Sequence, residues 1–162
     1  MRSKLTQLRA VIWWGMTLAW AVQIFFLSTQ SFAPSFSQSL VAEVFRFLHL
    51  QVSPVTFDLL HAAIRKLAHL TEYGIFALFL YGPPSQGKMA VLRPRRAGMC
   101  ILVAAAYSLT DEFHQSFVPG RHASLFDCGL DTLGATLAML VPYFLKFTFY
   151  RSAASASPVR TA

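Results

Sequence analysis

The sequence predicts an all-α protein: an integral membrane bundle of four transmembrane helices, with a short amphipathic helix in the first extracytoplasmic loop. Three observations carry this. First, 55% of the 162 residues are hydrophobic and only 13% are charged, whereas a soluble domain carries about 25% charge. Second, long apolar runs alternate with short polar breaks. Third, the basic residues gather in alternate breaks, as loops on the inner side of a membrane do. The length suits one domain. The net charge is +7, but no basic stripe interleaves with exposed aromatics, so a nucleic-acid partner is not expected.

The first span is expected from about Leu8 to Leu27, uncleaved, with Trp13 and Trp14 at the headgroup level. It leaves through the polar Ser28-Thr29-Gln30-Ser31. From Ser39 to Leu50, Leu40, Val41, Val44, Phe47 and Leu48 fall on one helical face, and Glu43, Arg46 and His49 on the other. That pattern describes a short helix lying on the membrane surface or capping the bundle.

Ser53-Pro54 is a helix start, with Ser as N-cap and Pro at the first helical position. This second span runs until Gly82-Pro83-Pro84 stops it. A basic loop follows (Lys88, Arg93, Arg95, Arg96). The third span runs from about Ala97 to Phe117, and Val118-Pro119-Gly120 forms a turn. The fourth begins near Leu125 and runs to about Phe149. Residues 1–150 are read as the transmembrane domain and 151–162 as a disordered cytoplasmic tail. Ten of the fourteen Lys and Arg residues fall in the N-terminal segment, the 85–96 loop and the end of the fourth span with its tail. The positive-inside rule therefore puts both termini in the cytoplasm.

Three spans are too short without their polar ends. The clean apolar run of the third, Gly98 to Leu109, covers roughly 18 Å of a hydrocarbon core about 30 Å thick. To cross, it must take in Asp111, Glu112 and Gln115. The second must take in Lys66, His69 and Glu72. The fourth carries Asp127 and Asp131 in its first turns. All three deficits lie at the extracytoplasmic end. Helical angles gather Lys66, His69, Glu72 and Tyr73 within about 120°, Asp111, Glu112 and Gln115 within about 100°, and Asp127, Asp131, Gly134 and Ala138 within about 60°. Ionisable groups at membrane depth face the bundle interior and one another. A polar chamber open to the outer face, walled by these three spans, is the expectation. The Gly134/Ala138 stripe suits close helix packing.

The expected chamber holds the acids Glu72, Asp111, Glu112, Asp127 and Asp131. Against them stand Arg65, Lys66 and Arg121, with His69, His114 and His122 titratable. Five carboxylates against three fixed cations require protonation, charged histidines or a bound cation. Cys100 and Cys128 fall at opposite ends of their helices, so no disulfide is expected. No zinc-type spacing occurs, and no cofactor or resident metal is expected. His49 and His61 are expected at the interface without a role, His114 and His122 at the rim, and Tyr73 in packing.

These residues resemble a known family. Lys66-x-x-His69-x-x-Glu72-Tyr73, then Asp111-Glu112-x-x-Gln115-x-Phe117-Val118-Pro119-Gly120-Arg121, then Asp127-x-x-x-Asp131-Thr132-Leu133-Gly134 are similar to the signature of VanZ-like membrane proteins. Phe25-Phe26-Leu27-Ser28-Thr29-Gln30 is similar to that family's first-helix exit. The resemblance covers most of residues 11–145. One departure is Asp131, where many members carry Asn. The resemblance implies a small multi-helix protein of the bacterial inner membrane. The founding member of the family is associated with low-level resistance to the glycopeptide teicoplanin.

Two function classes lead. In the first, a non-enzymatic envelope protein binds a lipid or a lipid-linked cell-wall intermediate through Lys66, His69, Glu72, Asp111, Glu112, Gln115, Arg121, Asp127 and Asp131. Lys66 and Arg121 would grip a phosphate. In the second, a membrane enzyme acts on a lipid-linked phosphate. Its catalytic candidates are His69, Glu72, Asp111 and Glu112, with acid/base or metal assistance. A coupled transporter is disfavoured because the inner halves of the last three spans lack polar groups. A purely structural ion-paired network remains the plain alternative.

Overall fold

The computed structural model describes residues 2–29, 34–82, 93–118 and 123–155. These form five helices: α1 (Arg2–Leu27), α2 (Pro34–Phe47), α3 (Pro54–Tyr81), α4 (Pro94–Gln115) and α5 (Leu125–Ser155). Among the described residues there is no strand. The fold is all-α.

The start of α3 is the one expected from sequence. Ser53 is its N-cap, its hydroxyl accepting from the Thr56 amide at 3.2 Å, and Pro54 opens the helix. Gly82 ends it at φ 95°, a conformation that Gly adopts without strain. α5 starts at Leu125, also as expected. Other boundaries differ. α1 begins at Arg2 rather than Leu8, because Lys, Arg and Gln form helix readily and need no apolar surroundings to do so. α2 and α4 begin at Pro34 and Pro94, several residues early, with proline again in the first turn. α5 continues to Ser155, beyond the expected end near Phe149, and residues 156–162 of the expected tail lie outside the described residues.

The central packing is between α3 and α5, with α4 against both and α1 against α3. Small residues set it. A Cβ placed at Gly134 would run into the backbone carbonyl of Leu70, and one at Gly74 would lie 3.3 Å from the Gly134 carbonyl oxygen and 3.5 Å from Ala138 Cβ. The two helices therefore cross backbone to backbone. Around the crossing, Tyr73, Phe76, Ala77, Ala104, Ala135 and Met139 form a buried core that Ile24 of α1 joins.

α1 is fastened by donors as well as by packing. The Trp13 indole donates to the Phe79 carbonyl at 2.8 Å, and the Trp20 indole to the Glu72 carbonyl at 3.0 Å. Tyr107 of α4 donates to the Ala21 carbonyl at 2.7 Å. Trp13 is thus a helix–helix link rather than the headgroup anchor expected, whereas Trp14 faces outward. Among the described residues one stretch, Lys4–Leu27, is long and apolar enough to cross a membrane by composition alone. α3 and α4 carry charged residues within the length a bilayer requires.

α2 lies on α3. Phe45 packs edge-on against Phe57 at 5.6 Å, Ser37 bonds His61 at 2.9 Å, and Gln38 donates to Asp58 at 3.3 Å. Its Leu40, Val44 and Phe47 are exposed. On the same helix Glu43 and Arg46 form an ion pair, and the guanidinium holds the Glu43 carboxyl below the usual carboxylate range.

Candidate functional site

The polar residues at the α4 C-terminus turn inward because their apolar neighbours turn out. Phe113 and Phe117 are exposed, while Asp111, Glu112 and Gln115 are buried. Asp111 sits at the centre. Ser28, at the end of α1, donates to its Oδ1. The Gln115 amide donates to its Oδ2 at 2.8 Å and to Ser28 Oγ at 3.1 Å. Both oxygens of a buried carboxylate are thereby engaged, as burial demands.

Asp131 forms a second centre beside it. Only 1% exposed, it accepts from the Ser108 hydroxyl at 2.5 Å through Oδ2. Its Oδ1 faces His69 Nδ1 at 3.4 Å, and neither atom has a closer partner among the described residues. Tyr73 OH is likewise buried without a hydrogen-bond partner. α3, α4 and α5 each contribute one member to the His69–Asp131–Ser108 chain.

Glu112 lies apart from both centres in role. Its Oε2 accepts from the Ser124 amide at 2.6 Å. That amide lies immediately before α5, so the carboxylate ties the end of α4 to the start of α5. The charge-assisted bond is among the stronger kinds available to a backbone N–H.

Two adjoining cavities open onto these groups. The first, about 160 Å³, lies between α1, α2, α3 and α4, with Ser28, Ser37, Arg65, His69, Glu72 and Asp111 among its lining. The second, about 400 Å³, lies between α2, α3 and α5 and is lined by Gln38, His61, Arg65, Lys66, His69 and Asp127 among others. Arg65 and His69 belong to both. A larger cavity of about 610 Å³, between the end of α2 and the start of α3, touches none of the expected site residues.

The expected residues therefore divide. His69, Glu72, Asp111, Gln115 and Asp131 come together. Lys66 and Asp127 line the second cavity, with Lys66 exposed and its Nζ 4.5 Å from the centre of the Phe126 ring. Glu112 is part of the α4–α5 junction. Arg121 and His122 lie outside the described residues. His61, expected at the interface without a role, is buried beneath α2, bonded to Ser37 and stacked on Phe57. His114 stacks against Phe25 at 4.7 Å. Cys100 and Cys128 are both free and buried. Among the described residues, no three His, Cys, Asp or Glu side chains gather as a metal's ligands would.

Sequence reasoning missed Ser28 and Ser108 as members of the polar core, and with Ser28 it missed α1 as a wall. Serines inside apolar helices bond to their own backbone as readily as to a neighbour, so their pattern carries little signal. The one available hint was the family-like Phe25–Gln30 exit.

No curated protein and no solved structure matches the chain. The model of one protein family, VanZ/LLP1, matches residues 13–146, which include every member of both polar centres and both cavities. The chain belongs to the VanZ/LLP1 family.

Proposed function

We propose that this VanZ/LLP1 protein is a four-span protein of the bacterial inner membrane with both termini cytoplasmic. Its polar core and the two cavities form a chamber on the extracytoplasmic side. The chamber binds a lipid or lipid-linked cell-envelope component, and through it the protein alters susceptibility to glycopeptides such as teicoplanin. The role is binding, not turnover.

One observation carries the reading: ionisable groups are buried at one end of the bundle, beside its apolar core, while large apolar side chains cover the outside. Asp131 is 1% exposed and Asp111 4%, while Leu102 of α4 is 66% exposed and Leu67 of α3 62%. Soluble monomers rarely expose contiguous apolar patches of more than a few hundred square ångströms. A bilayer reverses that cost and makes buried ionisable groups the functional candidates. The polar groups cluster at one end of α3, α4 and α5, the end that the charge bias places outside. A lipid would reach them sideways, and its polar part would meet Arg65, His69, Glu72 and Asp111.

The test is to express the wild-type chain and Glu72→Gln in a glycopeptide-sensitive host and follow teicoplanin susceptibility together with membrane protein level. The expected outcome is a shift with wild type, and its loss in Glu72→Gln at normal protein level. Unchanged susceptibility with wild type would remove the glycopeptide link.

One observation favours a second reading, a membrane enzyme acting on a lipid-linked phosphate. His69 Nδ1 faces a buried carboxylate, the arrangement that orients an imidazole as general base. Phosphate release from lipid-linked substrates by wild type but not by His69→Gln would support it.

A further inference from the structure

The cavity between α2, α3 and α5 contains two cations that no carboxylate holds among the described residues. Among the described residues, neither Arg65 nor Lys66 has a carboxylate within ion-pair distance. They are consecutive in α3 and line the same cavity, with His61, His69 and Gln38 adding further donors. Asp127 is the one acid in its lining. In this lining two fixed positive charges stand against one negative, with Glu72 and Asp111 lining the adjoining cavity that Arg65 also reaches. The volume of the α2–α3–α5 cavity, about 400 Å³, falls in the range of small-molecule sites, roughly 300–1,000 Å³, and exceeds what a lone inorganic anion would need.

Depth supplies the second argument. It rests on the four-span topology proposed above. About twenty residues cross a bilayer. Counted back from Tyr81, the end of α3, twenty residues reach Ala62. Arg65 and Lys66 are then the fourth and fifth residues of the span, roughly 4–6 Å inside the outer edge of the hydrocarbon, from where long side chains directed toward the helix N-terminus reach the outer-leaflet phosphates. Lys66 is exposed and its Nζ is seated over the Phe126 ring, so its head is held at the rim. Arg65 is half-buried and reaches both cavities.

We propose that this cavity is a phosphate site for an outer-leaflet amphiphile. Arg65 provides the forked guanidinium and Lys66 the point charge at its rim. The apolar tails lie along the exposed faces of α3 and α5. Asp127, in the same lining, carries a negative charge that opposes an anion there. The proposal deepens the lipid-binding reading by naming the group bound and the residues that bind it.

The test uses the full chain in neutral detergent, titrated with dioctanoyl phosphatidic acid, with dioctanoylglycerol and with inorganic phosphate. Calorimetry reads the affinity. Wild type is expected to bind the phosphatidic acid saturably, and dioctanoylglycerol at least about tenfold more weakly. Inorganic phosphate is expected to compete only in about 100-fold excess. Arg65→Gln and Lys66→Gln each weaken binding by about tenfold, the loss of one charge-assisted contact. Asp127→Asn binds as tightly or more tightly. Unfolding midpoints of the Arg65 and Lys66 variants stay at the wild-type value, because neither side chain is fully buried or ion-paired to an acid. Wild-type affinity in both variants would overturn the cavity assignment while leaving lipid binding intact. Competition by equimolar phosphate would show a free-anion site and overturn the amphiphile. No binding of either amphiphile by any form would overturn this proposal and count against the lipid reading beneath it.

Discussion

The Ser28 hydroxyl, at the last turn of α1, donates to the Asp111 carboxylate in α4, and Gln115 donates to both. This joins the first helix to a polar core that otherwise belongs to α3, α4 and α5. Asp111 is 4% exposed, so a broken contact leaves a desolvated group behind. Ser28→Ala is expected to destabilise by about 1–3 kcal/mol, the penalty of one unsatisfied buried partner. Asp111→Ala leaves two donors unsatisfied and is expected to cost about 2–6 kcal/mol, about 1–3 for each. Reversible unfolding in mixed micelles checks the order, and equal midpoints for both variants would contradict it.

Four of the five glycines in the described helices span the range of surroundings and should differ in tolerance. Gly134→Ala drives a methyl into the Leu70 carbonyl and is expected to cost about 2–3 kcal/mol, as overpacking does. Gly74→Ala meets its neighbours at 3.3 and 3.5 Å and should cost about 1 kcal/mol. Gly98→Ala and Gly129→Ala meet nothing within 4 Å and should be neutral or stabilise by up to about 1 kcal/mol. Thermal midpoints of the four variants give the ranking.

Glu112 should behave as a structural residue. Glu112→Ala removes the acceptor of the Ser124 amide and is expected to cost about 1–3 kcal/mol. Glu112→Gln keeps an oxygen there and should cost less than about 1 kcal/mol. If both variants keep wild-type stability, the α4–α5 junction is held by something else.

His69 and Asp131 should be coupled. Each is the other's nearest polar partner across α3 and α5. A double-mutant cycle of His69→Gln and Asp131→Asn is expected to give a coupling energy of about 0.5–3 kcal/mol. Additivity within error would contradict a direct interaction.

α2 should sit at the membrane surface. Val44 is exposed on its apolar face, and Arg46 is exposed beside Glu43. Spin labels at 44 and 46 are expected to differ, with oxygen reaching the first and a water-soluble relaxant the second. Equal access by the water-soluble agent would place the whole helix in solvent.

Much of this was legible in the sequence. Ser53-Pro54 marks the start of α3, because a capping hydroxyl and a preset φ are local chemistry. Burial of Asp111, Glu112, Gln115 and Asp131 followed from helices too short without them. The Gly134/Ala138 stripe marked a face of the fourth span suited to close packing, and α3 is the helix that packs there. What stayed hidden is partner choice. Nothing in the spacing assigns Ser28 to Asp111, Ser108 to Asp131 or Ser124 to Glu112. Such bonds depend on helix rotation and depth, which periodicity leaves open by tens of degrees. Lys66 and Asp131 share a helical arc with their neighbours, yet one is exposed at the rim and the other buried in the core.

The central claim is that the polar core and its cavities hold a lipid or lipid-linked envelope component. The direct measurement is mass spectrometry of lipids carried by the chain when it is excised with its membrane into native nanodiscs. The account predicts at least about tenfold enrichment of one phosphate-bearing amphiphile over the bulk membrane, lost in a His69→Gln/Glu72→Gln double variant that keeps its helical content. A lipid profile identical to the bulk membrane in both proteins would contradict it.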